Sequence, residues 1–320
     1  MTDGGVSAEF APGRPVPLRA ILGALRRGAG DPTWRQDPAS LWRASRTPDG
    51  PVTMRLTRRT DVEGERSRPG SADTTGDRVE ATAWGPGGDW ALAGLGQLLG
   101  EADDPTGFAI QHATLRDPAR RHQHWRVGRT RLVIEALVPA IIEQRVTGKQ
   151  AFGAYRTLVR TYGEPAPGPG AALGLLVPPS VQQWRRVPSW QWLRAGVDAQ
   201  RSDTIQRALS VAPRLAEIVD LPRETAWQRL RSIPGIGVWT AAETMQRALG
   251  DADAVSFGDY HVATDIGHAL TGAAVDDLQL EELLRPYAGH RYRVQYLVTA
   301  SRLGPARRGA RITIPTHLPR

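Results

Sequence analysis

The chain of 320 residues contains no cysteine. Disulfides, zinc sites built on thiolates and iron–sulfur clusters are therefore excluded. It contains a single lysine, Lys149, so its 41 Lys and Arg residues are nearly all arginine. Amine chemistry such as Schiff-base formation has almost no side chain to use. No apolar run approaches the roughly 18 residues of a membrane span. The N-terminus, MTDGGVSAEFAPGRP, lacks the basic-then-apolar layout of a signal peptide. A cytoplasmic protein without membrane contact is expected. Walker loops, Rossmann glycine motifs and Ser-His-Asp arrangements are also missing. What the chain does have is a net charge of +8. That charge favours an anionic partner, nucleic acid first. A GC-rich genome gives the same arginine bias.

The length allows two or three domains. Residues 1–15 are rich in Gly and Pro and are expected to be loose. Residues 16–113 read as a small α+β domain. Leu18, Ile21, Leu22 and Leu25 mark a short helix, and Leu92, Leu95, Leu98 and Leu99 mark another. Val52, Met54 and Leu56 alternate with polar residues, as do Val79, Ala81 and Ala83. Both runs predict strands of a half-exposed antiparallel sheet, joined by a long polar loop over 60–76. Residues 114–303 read as helical. One long helix is predicted over 129–146. Thr147 with Gln150, and Ser180 with Gln183, have the spacing of capping boxes. The Pro/Gly-rich stretch 164–180 between them reads as a linker. Further helices are predicted over 197–210, 213–219, 259–270 and 278–303. The basic tail, 304–320, lacks helical period. The fold class is thus mainly α: a helical bundle in two subdomains after a small antiparallel-sheet domain.

The most informative segment is 231–249, RSIPGIGVWTAAETMQRAL. Ala226, Trp227, Leu230 and Ile233 have helical period before the run Pro234-Gly235-Ile236-Gly237. Val238, Ala241, Ala242, Met245, Ala248 and Leu249 have it afterwards, and Gly250 follows as a C-cap. This predicts a helix-hairpin-helix. Backbone amides at such a turn, with the positive end of the second helix, suit a phosphate oxygen. The grip needs no base contact, so it is independent of sequence. An ordinary helical hairpin with a Pro-Gly turn has the same pattern. Asp259 follows Trp239 by 20 residues. It suits either a helix N-cap or a catalytic carboxylate, and capping would itself fix the carboxylate's position.

IPGIGVWTA, the later FGDYH, and EALVPAIIEQRVTGKQA resemble the helix-hairpin-helix/GPD superfamily of DNA glycosylases. Within it they resemble bacterial 3-methyladenine DNA glycosylase II, the AlkA type. The resemblance extends over nearly the whole chain and implies excision of a damaged, often alkylated, base from double-stranded DNA by a monomer. The base leaves the stack and enters a pocket between two helical subdomains. Asp259 matches the superfamily's essential aspartate, whose charge stabilises an oxocarbenium-like sugar. Asp265 is the alternative but matches no motif. Trp239 stands where lyase members carry a lysine, which implies a monofunctional enzyme. Trp239 and Tyr260 match pocket aromatics, and Tyr287 is a further candidate.

Glu243 departs from the family pattern, which has an aromatic there. It would either favour a cationic base or pair with an arginine away from substrate. Gln144 and Arg145 fall where the family fills the gap left by the flipped nucleotide; Arg145 is either a plug, a phosphate contact or a surface arginine. The resemblance assigns DNA contacts to Gly235, Gly237 and Thr240. It also implies an alkali ion, sodium or potassium, on the carbonyls of Arg231, Ile233 and Ile236, and no cofactor for catalysis. His261, Asp265 and His268 share one helix face, a pattern as suited to hydrogen bonding as to metal. A non-catalytic damage sensor with the same hairpin is the competing reading, and a helical repair adaptor is a third.

Overall fold

The computed structural model describes residues 4–60 and 76–305. Its first unit is a sheet of five antiparallel strands: β1 (Val6–Phe10), β2 (Trp34–Gln36), β3 (Ser40–Thr47), β4 (Gly50–Thr60) and β5 (Asp77–Trp84). Their order is β1-β5-β4-β3-β2. β4 and β5 are the two alternating runs. Met54 lies opposite Ala83 and Leu56 opposite Ala81, so these residues share one buried face with Val52 and Val79. Residues of helices Leu18–Leu22, Gly88–Ala93 and Leu95–Leu98 pack on that face.

Two expectations are corrected in this unit. Val6–Phe10, inside the segment expected to be loose, pairs along its length with β5. The pairing supplies order that its local composition does not. β3 shows no simple alternation because both its faces are covered. Leu41 joins the main sheet core, while Trp42 and Ala44 pack with Leu175 and Val177. The stretch 164–180 is not a free linker. Strands β6 (Glu164–Pro165) and β7 (Leu176–Val177) pair around helix Pro169–Ala172. The Leu176 amide donates to the Pro32 carbonyl at 2.9 Å, and Thr53 Oγ1 donates to the Pro167 carbonyl at 2.7 Å. The segment therefore fastens the helices to the sheet.

The helices form two cores. The first gathers apolar faces of Val133–Ile142, Gly148–Tyr162, Ala199–Ser210 and Val238–Thr244. The second gathers Val262–Thr271, Asp277–Leu284 and Arg291–Ala300, with Leu115. Both capping boxes form as the spacing predicts. The long helix expected over 129–146 is shorter at both ends. The Thr130 and Arg131 amides donate to the Arg247 and Ala248 carbonyls at 3.0 and 2.9 Å, which holds that segment out of the helix. The helix expected over 278–303 is broken at Arg285–Tyr287, which contains Pro286, and at Gly289, where φ is 88°. The loop over 60–76 and the tail 304–320 fall almost wholly outside the described residues. Among the described residues no helix is long and apolar enough to cross a membrane.

Candidate DNA-binding and catalytic site

Helices Arg223–Arg231 and Val238–Thr244 form the arms of the hairpin. The second arm continues as a single π turn, Met245–Leu249, and ends at Gly250 in the left-handed region. The two glycines of the turn are glycines for different reasons. Gly235 has φ +96°, and a Cβ there would collide with Thr204 Oγ1. Gly237 has an extended backbone open to any residue, and a Cβ there would meet nothing within 4 Å. Its missing side chain clears the surface in front of the helix. No side chain caps the first-turn amides. Side chains bond two of the turn's carbonyls instead. Arg207 Nε donates to the Pro234 carbonyl at 3.1 Å. Gln144 Nε2 donates to the Gly235 carbonyl at 3.0 Å and to Thr240 Oγ1 at 2.8 Å. With these two carbonyls engaged, the first-turn amides of the helix are left to an outside partner.

Asp259 lies on the segment that crosses between the two helical cores. Ala254 belongs to the first core and Val255 to the second. Asp259 fills the first of the two roles its sequence position allows, that of a cap. Oδ1 accepts from the His261 and Val262 amides at 2.8 and 3.2 Å, the work of a helix cap. Oδ2 accepts from Trp239 Nε1 at 3.1 Å. The hairpin's second helix and the aspartate are thus joined directly, and the half-buried carboxylate is fixed at both oxygens. Tyr260, next to it, is 90% exposed, and the His261 ring meets its ring edge-on.

No family model matches the chain. A curated Mycobacterium tuberculosis protein named "Probable bifunctional transcriptional activator/DNA repair enzyme AlkA" is 30% identical over 138 residues. The match covers 42% of this chain and spans only 27% of that relative. A solved 3-methyladenine DNA glycosylase from Archaeoglobus fulgidus superposes with a TM-score of 0.72 at 18% identity, over 92% of this chain and 98% of that one. The chain has the helix-hairpin-helix DNA glycosylase fold. A Clostridium acetobutylicum 8-oxoguanine glycosylase/lyase, solved with duplex DNA, shares this glycosylase fold at 12% identity and a TM-score of 0.59. It covers 94% of this chain and 99% of its own.

Within the glycosylase fold the structure brings Trp239, Asp259, Gln144, Thr240 and the turn glycines together, directly or through one another. It does not bring Tyr287 to them. That ring is 2% exposed in the second core, stacked on His112. Its hydroxyl accepts from the Gln111 and His112 amides at 3.3 and 3.1 Å. Burial pushes that hydroxyl's pKa up, and the two amide bonds oppose the shift. Thr240 is buried, and its hydroxyl faces Gln144.

Glu243 is 8% exposed and paired with Arg247 at 2.6 Å. Burial lowers the Arg247 pKa, but Glu243, with Tyr292 and Glu143, leaves a net rise. Arg145 is exposed at the tip beyond helix Val133–Ile142, with φ 55°. Among the described residues no group of three His, Asp or Glu is placed to hold a metal, so His261, Asp265 and His268 form no metal cluster. Sequence reasoning missed Ser256, Gln295 and Arg207. Gln246 is buried and bonded to Ser256.

Proposed function

We propose that this chain is a monofunctional DNA glycosylase that excises alkylated purines from duplex DNA. The observation that carries the reading is the Asp259 carboxylate bonded to Trp239 Nε1, on the hairpin helix and in the glycosylase fold. The hairpin turn would hold a phosphate by its amides, irrespective of sequence. Arg145 would enter the gap left by the flipped nucleotide. Trp239 and Tyr260 would hold the base, whose positive charge favours the π faces of aromatic rings. The C1′–N bond then breaks with its electron pair going to the base. An alkylated purine leaves neutral, so it needs little protonation. Asp259 would stabilise the oxocarbenium-like sugar and orient water, whose oxygen bonds to C1′ as a proton departs. The product is an abasic site.

The proposal extends to an alkali ion, sodium or potassium, on the carbonyls of Arg231, Ile233 and Ile236. These are three neutral oxygens without a carboxylate, a donor set that suits a hard monovalent cation. The Ile233 carbonyl accepts the Ile236 amide at 3.0 Å and keeps a second lone pair for an ion. The ion would supply positive charge at the phosphate, and replacing potassium and sodium by a bulky organic cation should weaken DNA binding. The function itself is tested by incubating the chain with methylated duplex DNA and analysing released bases. Release of methylated purines is expected. Tight binding with no base released would favour the damage-sensor reading.

A further inference from the structure

The second hairpin helix and the π turn that continues it carry Trp239, Glu243 and Gln246. These recur at i, i+4 and i+7 and therefore share one face. All three reach the segment 254–259. Trp239 bonds Asp259 itself. Gln246 Nε2 donates to the Ala254 carbonyl at 2.7 Å and to Ser256 Oγ at 3.0 Å. Ser256 Oγ donates to Glu243 Oε1 at 2.6 Å. The direction of that bond follows from chemistry, because a carboxylate only accepts.

Ser256 is the junction. Its hydroxyl donates once, to Glu243, and accepts twice, from Gln246 and from Gln295 Nε2 at 3.1 Å. Every site of the hydroxyl is used, in a residue 1% exposed. Its amide donates to Gln295 Oε1 at 3.0 Å, so helix Arg291–Ala300 grips the same residue from the other core. Its carbonyl accepts the Asp259 amide at 3.1 Å. Arg247 supplies the countercharge to Glu243 and also donates to the Ala24 carbonyl at 2.9 Å, in the N-terminal unit. The position of the aspartate is therefore set by groups from both helical cores.

We infer that Glu243, Gln246, Ser256 and Gln295 are positioning residues that fix the Asp259 carboxylate relative to the target sugar, and that Glu243 does not contact the base. This rests on the assignment of Asp259 as the catalytic carboxylate. A displacement on the order of 1 Å at a reacting group costs about a hundredfold in rate without touching affinity.

The test uses Ser256→Ala and Gln295→Met in the full chain; Gln295 is half-buried and uncharged, so its loss is the milder break. Single-turnover excision from methylated duplex DNA should fall about 10- to 100-fold. The dissociation constant for the same duplex should stay within about threefold, and Ser256→Thr, which keeps the hydroxyl, should recover rate. The double variant Ser256→Ala/Gln295→Met should be little slower than the worse single one, since both act through one residue. Rates equal to that of the unaltered chain, or rate and affinity falling together, would overturn the inference.

A second readout needs no catalysis. The Trp239 indole N–H gives a resonance identified by its loss in Trp239→Phe. It should move in Gln295→Met and Ser256→Ala, as in Asp259→Asn. An unmoved resonance in a folded Gln295→Met chain counts against the inference even if the unaltered chain excises nothing, whereas absent excision alone counts against the function.

Discussion

At the scale of single residues, the proposed chemistry centres on the pair Trp239–Asp259. The indole N–H can only donate, and the carboxylate oxygen it meets can only accept, so the bond has one polarity. Asp259→Asn keeps the size and one capping oxygen but removes the charge opposite the developing cation. It is expected to keep the melting temperature and duplex affinity and to lose base excision by several powers of ten in single-turnover kinetics. Excision by the variant at the unaltered rate would move the assignment away from Asp259. Trp239→Phe keeps an aromatic face but removes the donor. A hydrogen bond to a charged group contributes about 1.5–3 kcal/mol, so excision should slow at least about tenfold, with a smaller change in lesion binding.

At the scale of elements, the hairpin separates folding from binding. Gly235→Ala places a Cβ on Thr204 at a positive φ. It should destabilise the chain by about 2 kcal/mol or more in urea unfolding. Gly237→Ala meets open space on an extended backbone. It should change stability by under about 1 kcal/mol and weaken binding to every duplex alike. A loss confined to one lesion would contradict a backbone contact.

The helix Arg291–Ala300 starts on Asp253, which accepts from the Gly289 and Arg291 amides and from the Arg291 side chain. Burial raises the Asp253 pKa, but the bonds and charge of Arg291 outweigh it and hold it below the ordinary carboxylate value. Its stabilising contribution is thus complete above about pH 4 and is lost as pH falls through the lowered folded value. Asp253→Asn should therefore be less stable at pH 7 in urea unfolding, with the difference shrinking towards pH 3.

These elements also show what could be read in sequence. Alternation found β4 and β5, and the spacing of Thr147 to Gln150 and of Ser180 to Gln183 found two caps, because those signals are local. The turn Pro234-Gly235-Ile236-Gly237 was legible for the same reason. β1 and the extended start at Thr130 and Arg131 were not, because backbone partners distant in sequence decide them. Ser256 looked like any loop serine, since its importance lies in Glu243, Gln246 and Gln295 converging on it.

At the scale of the whole molecule, the fold does not choose between simple excision and strand cleavage. The proposed monofunctional reading rests instead on the side-chain inventory. Strand cleavage by elimination needs an amine to form an imine with C1′ of the sugar. The hairpin helix presents Trp239 to Asp259, and an indole nitrogen cannot form that imine. Lys149 is the one lysine in the chain, and it sits exposed in the first turn of helix Gly148–Tyr162. Excision should therefore leave an intact strand that breaks at the abasic site only after heat or alkali. Borohydride added during turnover should trap no covalent protein–DNA adduct on a denaturing gel. A trapped adduct, with cleavage under neutral conditions, would show that Lys149 or the N-terminal amine reaches the sugar. Lys149→Arg would then separate the two, since it abolishes the adduct only if that lysine supplies the amine.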